Sequence, residues 1–284
     1  MTSLEQQRRF FAEEIEAIAN LTNAAVVDAL AHVPREHFLR QGPWTIKSES
    51  DLMAPPRETP DADPRRVYHN VAIALDNGRQ LFNGAPGLVA MVVDKLALKP
   101  GDRAVHIGCG TGYYTALMAH CVGPSGRVLA IEVDEALAAE ARANLASMPW
   151  VEVRCGDGRD AGGAADAIFV NAGVTHPLPQ WLHALAPGGR LALPFTVGMT
   201  PTIGKGMMML LTRDEENRES IRARTIGFVA IYSAVGLRDD SLNPAIGKAM
   251  GQPMAVVKRA RLDSHDAGPA CWLHTPGFCL STAE

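Results

Sequence analysis

The chain has no apolar run near the roughly eighteen residues that a membrane-spanning helix needs. It also has no excess of basic charge, since 27 Lys and Arg against 31 Asp and Glu give a formal net charge of −4 over 284 residues. The first absence argues against a helical membrane span. The second removes any global attraction to nucleic acid or anionic lipid, although a local basic patch stays open. The start, MTSLEQQRRFFAEEIEAI, is polar and helical in pattern and carries no secretory signal. Five cysteines, Cys109, Cys121, Cys155, Cys271 and Cys279, form no C-x-x-C pair and are odd in number, which points to reduced thiols and a cytoplasmic protein. What remains is ordinary globular material, 47% hydrophobic and 20% charged, enough for one domain with additions or for two small ones.

The most informative stretch is Val105–Asp134, VHIGCGTGYYTALMAHCVGPSGRVLAIEVD. An apolar run, Arg103–Ile107, leads into a turn with Gly108, Gly110 and Gly112. A helix over Tyr113–Cys121 follows, then a Gly/Pro/Ser turn and a second apolar run that ends at Glu132. Strand, glycine turn, helix and strand in that order form the half-unit of nucleotide-binding α/β sheets. Glycines let a ligand approach the backbone, the next helix's first N–H groups point at it, and the acid about twenty residues on accepts from ribose hydroxyls. The spacing is not that of dinucleotide binders, whose fingerprint is G-x-G-x-x-G. Here the third glycine comes one residue early and Tyr113-Tyr114 follows. An NAD-dependent oxidoreductase is disfavoured on that ground.

The form GCGTGYY resembles motif I of class I S-adenosylmethionine (SAM) methyltransferases. Other stretches are similar to one branch of that class, the protein-L-isoaspartate O-methyltransferase family. Val33, Pro34, Arg35, Glu36 and Phe38 match its V-P-R-E-x-F signature. Asp157 and Gly158 fit its adenine-side loop. Pro179, Leu182, Leu185, Gly188, Gly189, Arg190, Leu191 and Pro194 follow its P-x-x-L…G-G-R-L run. The resemblance covers about residues 22–40 and 78–232 and implies a Rossmann-like, doubly wound, seven-stranded and mostly parallel α/β sheet. An antiparallel C-terminal hairpin and a helical N-terminal extension complete it. The expected division is 1–75 for N-terminal helices and an irregular loop, 76–235 for a SAM-binding domain, and 236–284 for an extension packed on the core.

The pattern along the chain agrees. Helices are expected at Leu4–Ile18, with Phe10, Phe11, Ile15 and Ile18 on one stripe, and at Ala24–His32, Pro86–Leu98, Glu135–Ala146 and Pro179–Ala186. Strands are expected at Val67–Leu75, Val151–Arg154, Ala165–Val170, Gly206–Thr212 and Ser220–Ser233. The Pro- and Asp-rich stretch from Gly42 to Arg66 reads as irregular, a lid or a linker. The methionine run in Gly206–Thr212 reads as a buried strand rather than a pliable surface.

The resemblance implies that SAM is the cofactor and that Gly84, His106, Gly108, Cys109, Gly110, Gly112, Tyr113, Glu132, Val133, Asp157, Gly158 and Asn171 line its site. Two positions depart from the family. Gly84 stands where a catalytic hydroxyl residue is found, with Asn83 beside it, and His106 stands where a carboxylate is common. A diverged acceptor, a protein or peptide carboxylate or a small molecule, is therefore expected, with Asn83 and His176 as catalytic candidates. His176-Pro177 also reads simply as the lead into the next helix. Isoaspartyl repair and a non-catalytic SAM- or nucleotide-binding module are the alternatives. No membrane or nucleic-acid partner is expected, and the protein is a monomer or homodimer. The tail holds His265, Cys271, His274 and Cys279, but C-x-x-H…C does not give two close ligand pairs of a zinc site, so no metal is expected.

Overall fold

The computed structural model describes residues 3–48, 54–217, 219–252 and 256–283. In chain order its elements are α1 (Leu4–Ala19), α2 (Ala24–His32), β1 (Thr45–Ser48), β2 (Arg57–Glu58), β3 (Val71–Asp76), β4 (Leu81–Phe82), α3 (Pro86–Leu96), β5 (Arg103–Ile107), α4 (Tyr113–Val122), β6 (Arg127–Glu132), α5 (Glu135–Asn144), β7 (Val151–Cys155), β8 (Ala165–Val170), α6 (Pro179–Ala184), β9 (Leu185–Gly198), β10 (Ile203–Arg213), β11 (Ile221–Tyr232), α7 (Asn243–Met250), β12 (Arg259–Arg261), β13 (Cys271–Thr275) and β14 (Phe278–Ser281). The chain divides into two compact units. The first is Met1–Asp102 with Cys109–Gly156, and the second is Arg103–Gly108 with Asp157–Glu284.

In the first unit, α1 starts at a capping box in which Ser3 and Gln6 each bond the other's backbone N–H. Its buried face is Phe11, Ala12 and Ile15. Phe10, expected on that stripe, is 62% exposed because it lies round the helix from the Phe11–Ile15 pair, and Ile18, on the stripe but in the last turn of α1, is 51% exposed. Asn23 caps α2 through Ala25 N–H at 3.0 Å, and the helix stops before Pro34. The V-P-R-E stretch is a clamp. The Arg35 guanidinium is fully buried and donates to the carbonyls of Val67 at 2.6 Å, His69 at 3.0 Å and Val71 at 2.8 Å, while Tyr68 O–H donates to Glu36.

The stretch from Gly42 to Arg66 is less irregular than expected. β1 pairs antiparallel with both β2 and β3, and with β4 they form a small sheet in the order β2-β1-β3-β4. Trp44 and Thr59 lock the β1–β2 end, with Thr59 N–H on the Trp44 carbonyl at 2.9 Å and Trp44 N–H on Thr59 Oγ1 at 3.0 Å. Part of the expected lid, residues 49–53, lies outside the described residues. The strand expected from Val67 begins only at Val71, because Pro64–Val67 forms a 3₁₀ turn. β6 and β7 pair in parallel, with α5 between them in sequence.

In the second unit, β5, β8 and β9 pair in parallel, and β10 and β11 continue antiparallel. β8 reads Ala-Asp-Ala-Ile-Phe-Val and is buried at five of its positions, the near-continuous apolar run of a parallel strand covered on both faces. Met207, Met208 and Met209 in β10 are at most 3% exposed, so the methionine run is core. β5–β11 are the seven strands expected of a Rossmann-like α/β fold. In the tail, β12, β14 and β13 extend the β11 edge strand by strand. Among the described residues no helix is long and apolar enough to cross a membrane.

Candidate active site

The glycine turn of the first unit is built around Glu132. Its carboxylate, at the end of β6, is 7% exposed and accepts from Gly110 N–H at 2.8 Å and from Asp134 N–H at 3.1 Å. Gly112, at φ 98°, is the N-cap residue of α4, and no side chain caps the helix. A Cβ there would lie 2.9 Å from Leu145 Cδ1, so only glycine combines this backbone conformation with this packing. The result is a helix N-terminus presented behind a turn with glycine at every second position and the Cys109 and Thr111 side chains buried, with a carboxylate braced against it, an arrangement suited to a polar ligand. Cys109 is buried, and burial first and Glu132 second push its thiol pKa up, so it stays protonated. Val133 is 45% exposed at the strand's end.

Tyr113 is enclosed. Its ring packs on Phe38 at 5.7 Å and Tyr114 at 5.1 Å, with the Arg35 guanidinium 5.7 Å from its centroid. Burial raises its phenol pKa, and its backbone rather than its ring is what the turn can offer a ligand. Tyr114, which sequence reasoning left aside, donates its hydroxyl to the Gly84 carbonyl at 2.9 Å and so ties the Phe82–Ala85 segment to α4. Asn83 is half committed. Its Oδ1 accepts from Ile73 N–H at 3.0 Å and its own N–H donates to the Ile73 carbonyl at 2.9 Å, while Nδ2 is buried with no hydrogen-bond partner among the described residues. Gly84 stands at φ 75°, in the left-handed region.

The remaining candidates sit in the second unit. His106 in β5 is fully buried and stacks on Phe169 with ring centroids 5.0 Å apart; burial lowers its pKa to about 3, so it is neutral. Its environment is that of a core residue, not of a side chain opened to a ligand. Gly108 follows β5, and a Cβ on it would lie 3.2 Å from the Asn171 carbonyl oxygen. Gly158, at φ 78°, lies so close to β5 that a Cβ would come within 2.4 Å of Ile107 Cγ2, and its carbonyl accepts from Trp181 Nε1 at 2.8 Å. Asp157 pairs with Arg159 at 3.0 Å on a half-exposed surface.

The loop after β8 is held by the tail. Thr175 Oγ1 accepts from Asp239 N–H at 2.9 Å and lies 3.0 Å from His176 Nδ1. The mostly buried Arg238 donates to the Gly173 carbonyl at 3.1 Å and to Thr196 Oγ1 at 2.8 Å. Burial lowers the His176 pKa and the nearby Asp239 partly offsets this. The imidazole is therefore neutral near pH 7. Nothing in the local sequence marks Arg238 and Asp239 as holders of this loop, since Gly173, Thr175 and Thr196, which they bond, lie more than forty residues away in the chain. Two surface clefts of about 320 and 530 Å³ in this unit include none of the candidate residues.

The sequence profile of protein-L-isoaspartate(D-aspartate) O-methyltransferase (PCMT) matches residues 47–235. A protein-L-isoaspartate O-methyltransferase of Methylorubrum extorquens (strain PA1) is 34% identical over 224 residues, covering 77% of this chain and 85% of the relative. The chain belongs to the PCMT family. Another relative of that name, from Aeropyrum pernix, is 30% identical over 241 residues and covers 83% of each chain. Among solved structures, a protein-L-isoaspartate O-methyltransferase superposes with TM-score 0.62 at 21% identity, covering 88% of this chain and 73% of its own. A Plasmodium falciparum protein of the same description, solved with S-adenosyl-L-homocysteine, gives TM-score 0.59 at 18% identity over 80% of this chain and 97% of its own. The last two establish the fold. As a PCMT-family member the chain is a SAM-dependent methyltransferase, and SAM is its cofactor. The PCMT match stops at residue 235, and the tail from 236 onward lies outside it.

Proposed function

We propose that this PCMT-family chain methylates the free α-carboxylate of an isoaspartyl residue in a protein or peptide. The family match, which runs unbroken through the glycine turn, the Asn83–Gly84 segment and the Asn171–His176 loop, carries this reading. It favours isoaspartyl methylation over the diverged acceptor that Gly84 and His106 had suggested. His106 gives no reason for a new acceptor, because it is packed against Phe169 and uncharged.

The cofactor supplies an electrophilic methyl group. On the donor side, the backbone of Gly108–Gly112 and Tyr113 and the carboxylate of Glu132 would hold it, the latter through ribose hydroxyls; Val133 follows Glu132 in sequence, and Asn171 N–H donates to the carbonyl of Ile107, the residue before Gly108, at 2.8 Å. Asp157 would accept from the adenine amine. Its pair with Arg159 is a surface ion pair of about 0–1 kcal/mol and exchanges readily.

On the acceptor side, a carboxylate is already anionic near pH 7 and needs no proton removed, so the loss of a hydroxyl at Gly84 and a neutral His176 are both compatible with it. The buried Asn83 Nδ2 is an orphaned donor, which costs about 1–3 kcal/mol until an acceptor meets it. A carboxylate oxygen is such an acceptor, and we assign Asn83 that role and His176 a positioning role. Alignment and exclusion of water then make the largest contribution to rate.

The test is label transfer from SAM to an isoaspartyl peptide and to its aspartyl twin. Base-labile label on the first peptide alone is the expected result. S-adenosylhomocysteine binding without transfer to either peptide would reject isoaspartate as acceptor and restore the diverged-acceptor reading. Absence of S-adenosylhomocysteine binding would overturn the assignment of the donor site.

A further inference from the structure

The tail brings together four residues that the sequence scatters. One ligand atom from each of His265, Cys271, His274 and Cys279 lies within 4.8 Å of all the others. The strand register explains how. His274 of β13 faces Cys279 of β14 as a directly opposed pair, and Cys271↔Ser281 is followed by Leu273↔Leu280, so one extra residue, Trp272, is inserted on β13. In a regular strand Cys271 and His274, three apart, would point to opposite faces. The bulge reverses that parity and puts both on the face of Cys279.

The expectation of no metal is therefore revised, because the hairpin makes the close pairs that the spacing lacked. We propose that His265, Cys271, His274 and Cys279 form a structural zinc site of the Cys₂His₂ type, independent of the methyl-transfer site. Two thiolates and two imidazoles give a neutral complex with a divalent ion, and the set suits tetrahedral zinc. Zn–S near 2.3 Å and Zn–N of about 2.0–2.1 Å place a tetrahedral sulfur and nitrogen about 3.5–3.6 Å apart. Cys271 Sγ and His265 Nε2 are 3.5 Å apart.

The surroundings prepare the ligands. His265 Nδ1 is engaged by the Asp263 carbonyl at 2.9 Å, which leaves Nε2 for the cluster, as the outer partners of metal-bound imidazoles do. Gly268 N–H donates to Cys271 Sγ at 3.4 Å. His274 Nδ1 is buried and has no hydrogen-bond partner among the described residues, and the five cysteines form no disulfide. Binding releases two thiol protons and joins the loop around His265 to the β13–β14 hairpin at the end of the sheet.

The test uses the full chain without an affinity tag, purified in mild reductant, and reads metal content by mass spectrometry. About one zinc per chain is expected. Replacement by cobalt(II) is expected to give thiolate-to-metal charge transfer and the intense d–d bands of a tetrahedral ion, and Cys271→Ser with Cys279→Ser is expected to abolish both. His265→Ala, at a partly exposed position, is expected to weaken zinc binding about tenfold or more. Protein without zinc whose cobalt spectrum is that of the hydrated ion overturns the proposal without recourse to any variant. So does a tetrahedral cobalt spectrum that survives the double serine substitution, because the ligands would then lie elsewhere.

Discussion

Replacing Glu132 separates a cofactor contact from a structural brace. The carboxylate is nearly enclosed and already accepts two backbone N–H groups, from Gly110 and Asp134. Each carboxylate oxygen retains a further lone pair, and on the proposed reading a ribose diol takes these. Glu132→Ala removes both sets of bonds. Leaving the two half-buried N–H groups to water costs about 1–3 kcal/mol of stability, read as a lower denaturant midpoint. A hydrogen bond to a charged group is worth about 1.5–3 kcal/mol, so S-adenosylhomocysteine binding by calorimetry weakens roughly 10- to 150-fold. Glu132→Gln keeps one oxygen for Gly110 and recovers part of the stability, but it presents too few acceptors to recover the affinity. Loss of stability in Glu132→Ala with affinity kept within about twofold would refute the reasoning, since the carboxylate would then only brace the turn.

Three further predictions test the surrounding structure. Gly158→Ala combines a left-handed backbone with a methyl 2.4 Å from Ile107 Cγ2, and a loss of about 2–4 kcal/mol is expected in urea denaturation; a loss below about 1 kcal/mol shows that β5 yields easily. His106 has a folded pKa of about 3 against an ordinary 6.5, so the unfolded chain takes up a proton that the folded chain refuses. Stability therefore falls as pH drops through that window, by about 1.4 kcal/mol per pH unit, and His106→Phe, which keeps the stack on Phe169, flattens the slope by that amount. Gly84→Ser places a hydroxyl at the position where the resemblance implies one but puts a side chain at φ 75°, costing about 1–2 kcal/mol of stability. It is expected to give no gain in transfer to isoaspartyl peptide, and a large gain in kcat would show that the hydroxyl, not Asn83, is what the acceptor requires.

The strand–turn–helix frame of the proposed donor side was legible because its determinants are local. Strand, glycine turn and helix follow one another within Arg103–Val122, and Glu132 ends the next strand, so chain spacing alone carries the geometry. The same holds for α2, where Asn23 caps one end and Pro34 stops the other. Side-chain roles were less legible. His106 and Tyr113 occupy positions next to the cofactor motif, yet one stacks on Phe169 and the other lies against Phe38 and Arg35, residues far from them in the chain.

Periodicity and glycine spacing, which depend only on neighbours a few positions apart, were enough to set the α/β class and a nucleotide-type glycine turn, and the resemblance of GCGTGYY to motif I added the methyl donor of this PCMT-family chain. Tertiary structure decided the rest, because burial and pairing depend on residues that only folding brings together. Tail residues 238 and 239 hold the loop around Thr175. β12–β14 join the sheet edge, and a single inserted residue, Trp272, turns an unpromising spacing of His and Cys into four ligands on one site.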